Sequence, residues 1–409
     1  MKRIAYIILA LLTVSAVFTA CANKDVESMT PSGGLTFQLI DDEWTFISNV
    51  NCSDVDVVIP SHTPDGNPVE RIWVGAFGQS ETIKSIAIPA TVKTIDPGCF
   101  SGCIGIEKLY VSKDNPVYHV KNNCLIHTET NTLIFAPASS KIPSSVTCIG
   151  ELAYSKNTEL TKIKIPNGVT KIESSAFSNC YALESVQLPS TLTEIGDFAF
   201  TMCRALTSVE IPDSVTTIGE GAFLGCDALQ KIKLSDSMTV ISTSMLENCK
   251  ALTSCTIPEG VTCIDKRAFG GCCALAEITI PSNVTRIGES AFQGCTALTE
   301  LLIPKNVTVI NQGAFYCCNS LTTVIIEQGS TVEFDRLAFD RCNALTAVYV
   351  PTSIPKLAGG WIFTMDTLPA EKTLTFYYEG TQAAWENGDF SLPIHGTVEF
   401  EFDYANLPQ

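Results

Sequence analysis

The feature that most constrains this chain is a repeat of 23 residues that runs through most of its length. Its consensus is Ile-Pro-x-x-Val-Thr-x-Ile-x-x-x-Ala-Phe-x-x-Cys-x-x-Leu-x-x-Val-x. The proline column comprises Pro143, Pro166, Pro189, Pro212, Pro258, Pro281 and Pro304, with Ser235 in the one unit that lacks it. A fixed period of this length is typical of a solenoid, in which each unit packs on its neighbours.

One unit predicts one strand and one tight turn. Val209 and Ile211 alternate with polar residues and stop at Pro212, which indicates a short strand with one buried face. Ala222, Phe223 and Cys226 then recur at helical spacing. We therefore predict an α/β repeat fold, a right-handed leucine-rich-repeat solenoid of 23-residue coils with short parallel strands and short helices or 3-10 turns, capped at both ends.

The repeat resembles a known family. Residues 211–229 and 280–298 carry Ile-Pro-x-x-Val-Thr-x-Ile-Gly-x-x-Ala-Phe-x-x-Cys-x-x-Leu, which is similar to the BspA-like leucine-rich repeat of bacterial surface proteins. The resemblance covers residues 75–351, with an irregular insertion near 111–140, an N-terminal cap at 35–74 and a C-terminal cap at 352–409. It implies a scaffold that adheres to host or matrix proteins.

The N-terminal residues predict export. A positive Met1-Lys2-Arg3 start, an apolar run and the small residues Thr19-Ala20 before Cys21 read as a signal peptide over residues 1–20. Cys21 resembles the acylated first residue of bacterial lipoproteins, followed by a linker over 21–34. We predict a lipid-anchored protein of the outer membrane, exposed at the cell surface, whose only hold on the membrane is that lipid.

Charge and composition remove several function classes. The formal net charge is −17 and there is no basic run or Gly-rich phosphate loop, so we expect no nucleic-acid or nucleotide partner. The four histidines are His62, His119, His127 and His395, and none has a paired ligand at metal spacing. No motif pairs a nucleophile with a base and an acid. We therefore predict no catalytic residues, no metal, no cofactor and no enzyme activity.

Seven of the 18 cysteines follow the 23-residue step of the repeat. The column members are Cys180, Cys203, Cys226, Cys249, Cys272, Cys295 and Cys318. A buried free cysteine behaves as a small apolar side chain, so we interpret the column as reduced and structural. Disulfides are left open only for cysteines outside it, at Cys52, Cys99, Cys124, Cys148, Cys255, Cys263, Cys273 and Cys317.

Two surface columns are candidates for binding. The first contains only threonine: Thr147, Thr170, Thr193, Thr216, Thr239, Thr262, Thr285, Thr308 and Thr331. This column is either a hydroxyl array for a glycan or, as we favour, a set of hydrogen bonds between coils. The second column is polar at Lys164, Gln187, Glu210, Lys233, Thr256 and Thr279, and becomes apolar at Leu302, Ile325 and Tyr349.

The change to apolar residues has two interpretations. Leu302, Ile325 and Tyr349 are either an exposed patch for a partner or, as we favour, a surface that the C-terminal cap covers, with Trp361, Tyr377, Tyr378 and Trp385 packed on it. Leu302, Ile325, Tyr349, Trp361 and Trp385 are the candidate binding residues. The predicted function is binding or adhesion to an extracellular or host protein. The alternative is polysaccharide capture for an uptake system, with Tyr349, Trp361 and Trp385 as an aromatic platform.

Overall fold

The computed structural model describes residues 25–49, 52–78, 80–354, 373–387 and 397–402, which form two units divided between Lys141 and Ile142. Cys21 and Trp361 lie outside the described residues. Each unit is a solenoid of mainly parallel strands with coils of about 23 residues, as predicted. The described helices are a 3-10 turn at Val26–Ser28 and one α-helix, α1, at Gln382–Asn387.

The described residues of the first unit form ten short strands. They are β1 (Thr36–Ile40), β2 (Glu43–Ser48), β3 (Asp56–Val58), β4 (Arg71–Ile72), β5 (Ser85–Ile88), β6 (Thr94–Ile95), β7 (Lys108–Val111), β8 (Tyr118–Lys121), β9 (Cys124–His127) and β10 (Thr132–Phe135). An antiparallel β1–β2 hairpin leads into the parallel pairs β2–β4 and β4–β6, and β3, β5 and β7 form a second parallel sheet. The hairpin turns at Asp41 and Asp42, whose φ angles of 51° and 65° suit a two-residue turn.

The N-terminal and insertion segments of this unit are well packed. The sequence predicts a linker at residues 25–34. Within this segment, Val26 lies in the core and is only 4% exposed. The neighbouring Glu27 side chain accepts a hydrogen bond from the Ala90 amide at 3.1 Å. The insertion forms the antiparallel meander β8–β9–β10, whose first turn uses Asn122 and Asn123 at φ 52° and 60°. The Asn123 side chain reaches back to the edge of β7, where its Oδ1 accepts the Leu109 amide at 2.9 Å.

The second unit has two rows of parallel strands, and in the described residues each row is divided between two sheets. One comprises β11 (Cys148–Ile149), β13 (Lys171–Ile172), β15 (Glu194–Ile195), β17 (Thr217–Ile218), β19 (Val240–Ile241), β20 (Cys263–Ile264), β21 (Arg286–Ile287), β23 (Val309–Ile310) and β25 (Glu333–Phe334). The other, which we call the outer strands, comprises β12 (Lys162–Lys164), β14 (Ser185–Gln187), β16 (Ser208–Glu210), β18 (Lys231–Lys233), β22 (Glu300–Ile303), β24 (Thr323–Ile326), β26 (Ala347–Val350), β27 (Thr373–Tyr378) and β28 (Thr397–Phe402). Single parallel bridges at Ser254 and Glu277 continue the outer ladder beyond β18.

The third side of each coil is a ladder of turns, and no helix is described there. The amides of Ser175, Phe177 and Asn179 donate to carbonyls of the next coil at 2.8 Å. Ser175 and Asn179 have φ angles of 56° and 60°, so left-handed residues interrupt the right-handed conformation that a helix needs. The spacing of Ala and Phe therefore reflects burial on one side of a turn, and the prediction of helices or 3-10 turns in the repeat was wrong in this detail.

The interior of the second unit is uniform. Tyr154, Phe177, Phe200 and Phe223 stack with ring centroids 5.0–5.4 Å apart and near-parallel planes, and Leu246 then interrupts the stack. The rings resume at Phe269, Phe292, Phe315 and Phe339. Because each of these side chains packs on those of the neighbouring coils, the solenoid is held together by burial between neighbours.

Candidate binding surface

The outer strands place one side chain of every coil in a single outward column. In register order, β22, β24, β26, β27 and β28 contribute Leu302, Ile325, Tyr349, Tyr377 and Glu401. Earlier members of the column, such as Lys164 and Gln187, are polar and exposed. The structure therefore brings Leu302, Ile325 and Tyr349 together on adjacent strands, about 5 Å apart.

These three side chains differ in exposure. Leu302 is 49% exposed, although its neighbours Leu301 and Ile303 are fully buried. Ile325, between Leu302 and Tyr349 in register, is only 4% exposed and forms the floor of the surface. Large apolar side chains that are half-exposed are typical of binding surfaces when they belong to a continuous patch.

Tyr377 extends the surface by one strand. Its ring stacks on that of Tyr349 with centroids 4.5 Å apart and planes 11° from parallel, and both tyrosines are half-buried. We call Leu302, Ile325, Tyr349 and Tyr377 the C-terminal patch. The sequence placed Tyr377 in the cap and not in the column, because 28 residues separate it from Tyr349 where the repeat has 23. Only the β26–β27 pairing reveals its place.

Acidic side chains border the patch. Glu300 precedes Leu302 on β22, and Glu399 and Glu401 lie on β28, all three of them exposed. The periodicity gave no reason to select the β28 residues, which lie outside the repeat. The result is an apolar and aromatic centre with a negative rim, the arrangement that protein-binding surfaces commonly show.

Trp385 does not belong to this surface. It is 8% exposed and packs in the interior at the end of the second unit, 5.2 Å from the Tyr378 ring and 5.0 Å from the Phe400 ring. The cap residue Tyr378 is buried on the same inner side. Trp361, the other predicted aromatic, lies outside the described residues. The predicted set is thus divided, and Trp385 is a core residue.

The threonine column is used for hydrogen bonding between coils. The hydroxyls of Thr193, Thr262 and Thr285 donate to the threonine carbonyl of the preceding coil at 3.0, 3.3 and 3.1 Å. The backbone amides of these threonines donate to the same carbonyls. Because the hydroxyl protons are already committed, the column is a structural ladder, as the interpretation from β propensity favoured.

The cysteine column has a similar structural role. The thiols of Cys203, Cys226 and Cys249 each donate to a phenylalanine carbonyl 26 residues earlier at 3.3 Å. Burial raises the pKa of the Cys180 thiol to about 12 and that of Cys226 well above its usual value. Every cysteine in the described part of the chain carries a thiol. Among these described cysteines, Cys273 alone is exposed, and the others are buried or half-buried. Thiols that are protonated and buried are poor nucleophiles.

The insertion lines a groove of about 1060 Å³ between β7 and β8. His119 lies on its wall and bonds Thr128 through Nδ1 at 3.0 Å, and desolvation lowers the pKa of His119. His127 bonds Thr130 and packs edge-on against Tyr118. In the described residues, no three side chains of His, Cys, Asp or Glu lie close enough to hold a metal ion.

A second exposed cluster, on the turn side, was not selected from the sequence. Tyr181 is 43% exposed and the Arg204 guanidinium lies 5.1 Å from its ring centroid. The pair occupies the position after Cys180 and Cys203, a column whose residues vary in type.

No described helix is long and apolar enough to cross a membrane.

The family of the chain follows from its repeats. A model of the BspA type leucine rich repeat region matches six copies over residues 51–146, 138–253 and 239–366. The chain belongs to the BspA-type leucine-rich-repeat family. Solenoids of this family are generally non-catalytic. No curated protein is significantly similar to this BspA-type chain.

Solved structures from several bacteria are similar to this chain. The pneumococcal vaccine antigen PcpA is 17% identical, with 92% of this chain and 100% of that chain covered and a TM-score of 0.50. A leucine-rich repeat protein from Bacteroides ovatus ATCC 8483 is 20% identical, with coverages of 93% and 92% and a TM-score of 0.48. A leucine rich cell surface protein from Faecalibacterium prausnitzii A2-165 is 24% identical, with coverages of 88% and 98% and a TM-score of 0.46. At these identities the likeness to PcpA concerns the fold alone.

Proposed function

We propose that this BspA-type protein is an exported, lipid-anchored surface protein that binds an extracellular or host protein through the C-terminal patch and has no catalytic activity of its own. The observation that carries the proposal is the change along one column of a repeated surface. The column is polar and exposed on the earlier coils, as at Lys164 and Gln187. On the later strands it becomes apolar and aromatic, at Leu302, Ile325, Tyr349 and Tyr377.

The composition of the patch favours a protein over a polysaccharide. Leu302 offers an exposed aliphatic side chain, and the stacked Tyr349 and Tyr377 rings offer rigid aromatic area that loses little entropy on binding. Glycan capture calls for an open aromatic row, and Trp385, one of three residues proposed for it, is buried. A partner with an apolar centre and a basic rim suits the acidic border.

A lipid on Cys21 would hold the first unit close to the membrane. Asp25 is the fourth residue after Cys21, and Val26 is already buried in the core. Four residues span at most about 14 Å, so the anchor leaves no long tether. Mass spectrometry of the N-terminal peptide from native cells, compared with a Cys21→Ser variant, tests this part. An unmodified Cys21 in the native protein contradicts it.

Binding is tested with the chain from Ala22 onward, which contains every described residue. Purified extracellular matrix proteins and polysaccharides are immobilised separately, and the chain is compared with a Leu302→Ser/Tyr349→Ser variant. The matched control, Lys164→Ser/Gln187→Ser, alters the same column on earlier coils. We expect saturable binding to a protein, weakened at least about tenfold by the first variant and unchanged in the control.

Two results would contradict the proposal. Protein binding that the patch variant and the control variant both retain, with unchanged urea midpoints, would move the site elsewhere. Binding to polysaccharides alone would replace the proposal with the capture function.

A further inference from the structure

The last described strand of the second unit has one open edge. β28 pairs in parallel with β27 over six residues, from Thr373 opposite Thr397 to Tyr378 opposite Phe402. Within the described ranges, no strand pairs with its other side. Alternate amides and carbonyls along that side therefore have no ladder partner among the described residues, and such an edge is a template for another strand.

The inner side chains of β28 leave the end of the core partly uncovered. Phe400 continues the interior column, 5.8 Å from the Phe376 ring and 5.0 Å from the Trp385 ring. It is nevertheless 37% exposed, whereas Phe376 on the preceding strand is 1% exposed. Phe402 lies 6.5 Å from the Tyr378 ring. A further strand on this edge would cover both rings of β28, as β28 covers those of β27.

The outer side chains of β28 carry charge. Glu399 and Glu401 are exposed and lie in register with Thr375 and Tyr377. Side chains that face each other on neighbouring strands lie about 5 Å apart, so an added strand would place its own outward residues beside these two carboxylates. Opposite charges at such positions stabilise the pairing and like charges destabilise it.

We propose that the edge of β28 is a docking edge that takes up, by strand addition, an extended segment of a partner protein in which lysine or arginine alternates with apolar residues. The basic residues pair with Glu399 and Glu401, and the apolar residues cover Phe400 and Phe402. The net charge of −17 attracts a basic partner at longer range. Glu399 and Glu401 also border the C-terminal patch, but the edge contains none of its four residues. The variants Leu302→Ser/Tyr349→Ser and Glu399→Lys/Glu401→Lys therefore distinguish failure of the proposed function from failure of this inference.

A second copy of this chain does not suit the edge. Antiparallel pairing centred on Phe400 places Glu399 opposite Glu401 of the other copy, and parallel pairing in register places each glutamate opposite itself. Both arrangements bring like charges together. The acidic pair therefore opposes self-association at an edge that accepts a basic strand.

The test uses a fluorescent nine-residue peptide, blocked at both ends, that alternates lysine with valine. Two control peptides replace either every lysine with glutamate or the central valine with proline, which cannot complete a ladder. Fluorescence anisotropy with the chain from Ala22 onward is expected to show binding of the lysine peptide roughly tenfold or more tighter than either control. Amides of residues 397–402 are expected to exchange more slowly with the peptide bound.

A charge exchange makes the test specific. Glu399→Lys/Glu401→Lys is expected to reverse the preference, with the glutamate peptide binding tighter than the lysine peptide. The matched control, Glu259→Lys/Glu277→Lys, changes two exposed glutamates away from both the edge and the C-terminal patch and is expected to leave the preference unaltered. Both variants alter exposed side chains, and unchanged urea midpoints will verify that they fold.

Four outcomes would overturn the proposal. Equal binding of the proline peptide would show attraction by charge without a ladder. Binding that the control variant abolishes would place the site elsewhere. No binding of any peptide at millimolar concentration would show that the edge takes no strand. A dimer of the wild-type chain in light scattering, lost in Glu399→Lys/Glu401→Lys, would show that a second copy occupies the edge.

Discussion

The interior and the outer face of the second unit follow the same 23-residue period but change differently along it. Inside, Phe177, Phe200 and Phe292 occupy nearly identical surroundings, with ring planes 1–3° apart between neighbours. Outside, the column that begins with the polar Lys164 becomes aromatic at Tyr349 and Tyr377. Interior uniformity is what stacking requires, because each coil must fit the next. The outer face has no such requirement, so a change there is a sign of function.

The largest expected effect concerns the buried thiols in alkaline solution. Burial keeps the cysteine column protonated in the folded chain, with the pKa of Cys180 at about 12, whereas unfolded thiols ionise near 9. The unfolded state then binds fewer protons above pH 9, so the free energy of unfolding falls from pH 9 toward pH 12. Each buried thiol contributes about 1.4 kcal/mol per pH unit, and the column adds several such contributions.

Urea denaturation between pH 8 and 11 measures this slope. In a Cys226→Ala/Cys249→Ala variant the slope is expected to be shallower by about 2.8 kcal/mol per pH unit, from the same contribution per thiol. A slope that is the same in both proteins would show that the thiols do not ionise on unfolding. Cys273→Ala, at an exposed site, is the matched control.

The second effect sets an interior ring against an outer side chain. Phe292→Ala removes a fully buried ring from a stack and is expected to lower the free energy of unfolding by about 3–5 kcal/mol. Leu302→Ala, ten residues away on the outer face, is expected to change it by less than about 0.5 kcal/mol. If urea denaturation shows similar losses of unfolding free energy in both variants, Leu302 is a packing residue. That result would contradict the difference between the interior and the outer face.

The third effect is within the patch. Ile325→Ser replaces a side chain that is 4% exposed and is expected to cost about 2–3 kcal/mol, whereas Leu302→Ser is expected to cost little. The difference separates the floor of the patch from its exposed part. Equal costs would show that both side chains are covered, as the cap interpretation requires.

The fold was predictable because the period itself describes the packing. The columns of Ile, Phe and Leu gave the coil length, the parallel ladders and the buried face, and the threonine column gave its hydrogen bonds. The turn conformation was less accessible, since left-handed angles at Ser175, Leu337 and Arg341 have no residue type in common. Non-glycine residues adopt these angles here because three backbone hydrogen bonds to a neighbouring coil hold each turn. The turn of Ser175 donates three to the next coil, and the turn of Leu337 and Arg341 accepts three from the coil before it.

The candidate site was only partly predictable. Leu302, Ile325 and Tyr349 follow from the register, because parallel strands 23 or 24 residues apart must be neighbours. Exposure does not follow, and only the structure separates Leu302 from the buried Ile325. The burial of Trp385 was not predictable, because a tryptophan in the C-terminal cap suits an exposed aromatic surface and a packed interior equally well. Here it packs against Tyr378 and Phe400.

Amide hydrogen exchange on the chain from Ala22 onward, with and without a protein that it binds, tests the central claim most directly. We expect slower amide exchange on binding in β22, β24 and β26, which carry the C-terminal patch. We expect no change in β12, β14 and β16, which carry the polar part of the same column. Slower exchange confined to β12, β14 and β16, or spread evenly over the outer strands, would contradict the claim that the departure from the repeat marks the binding site.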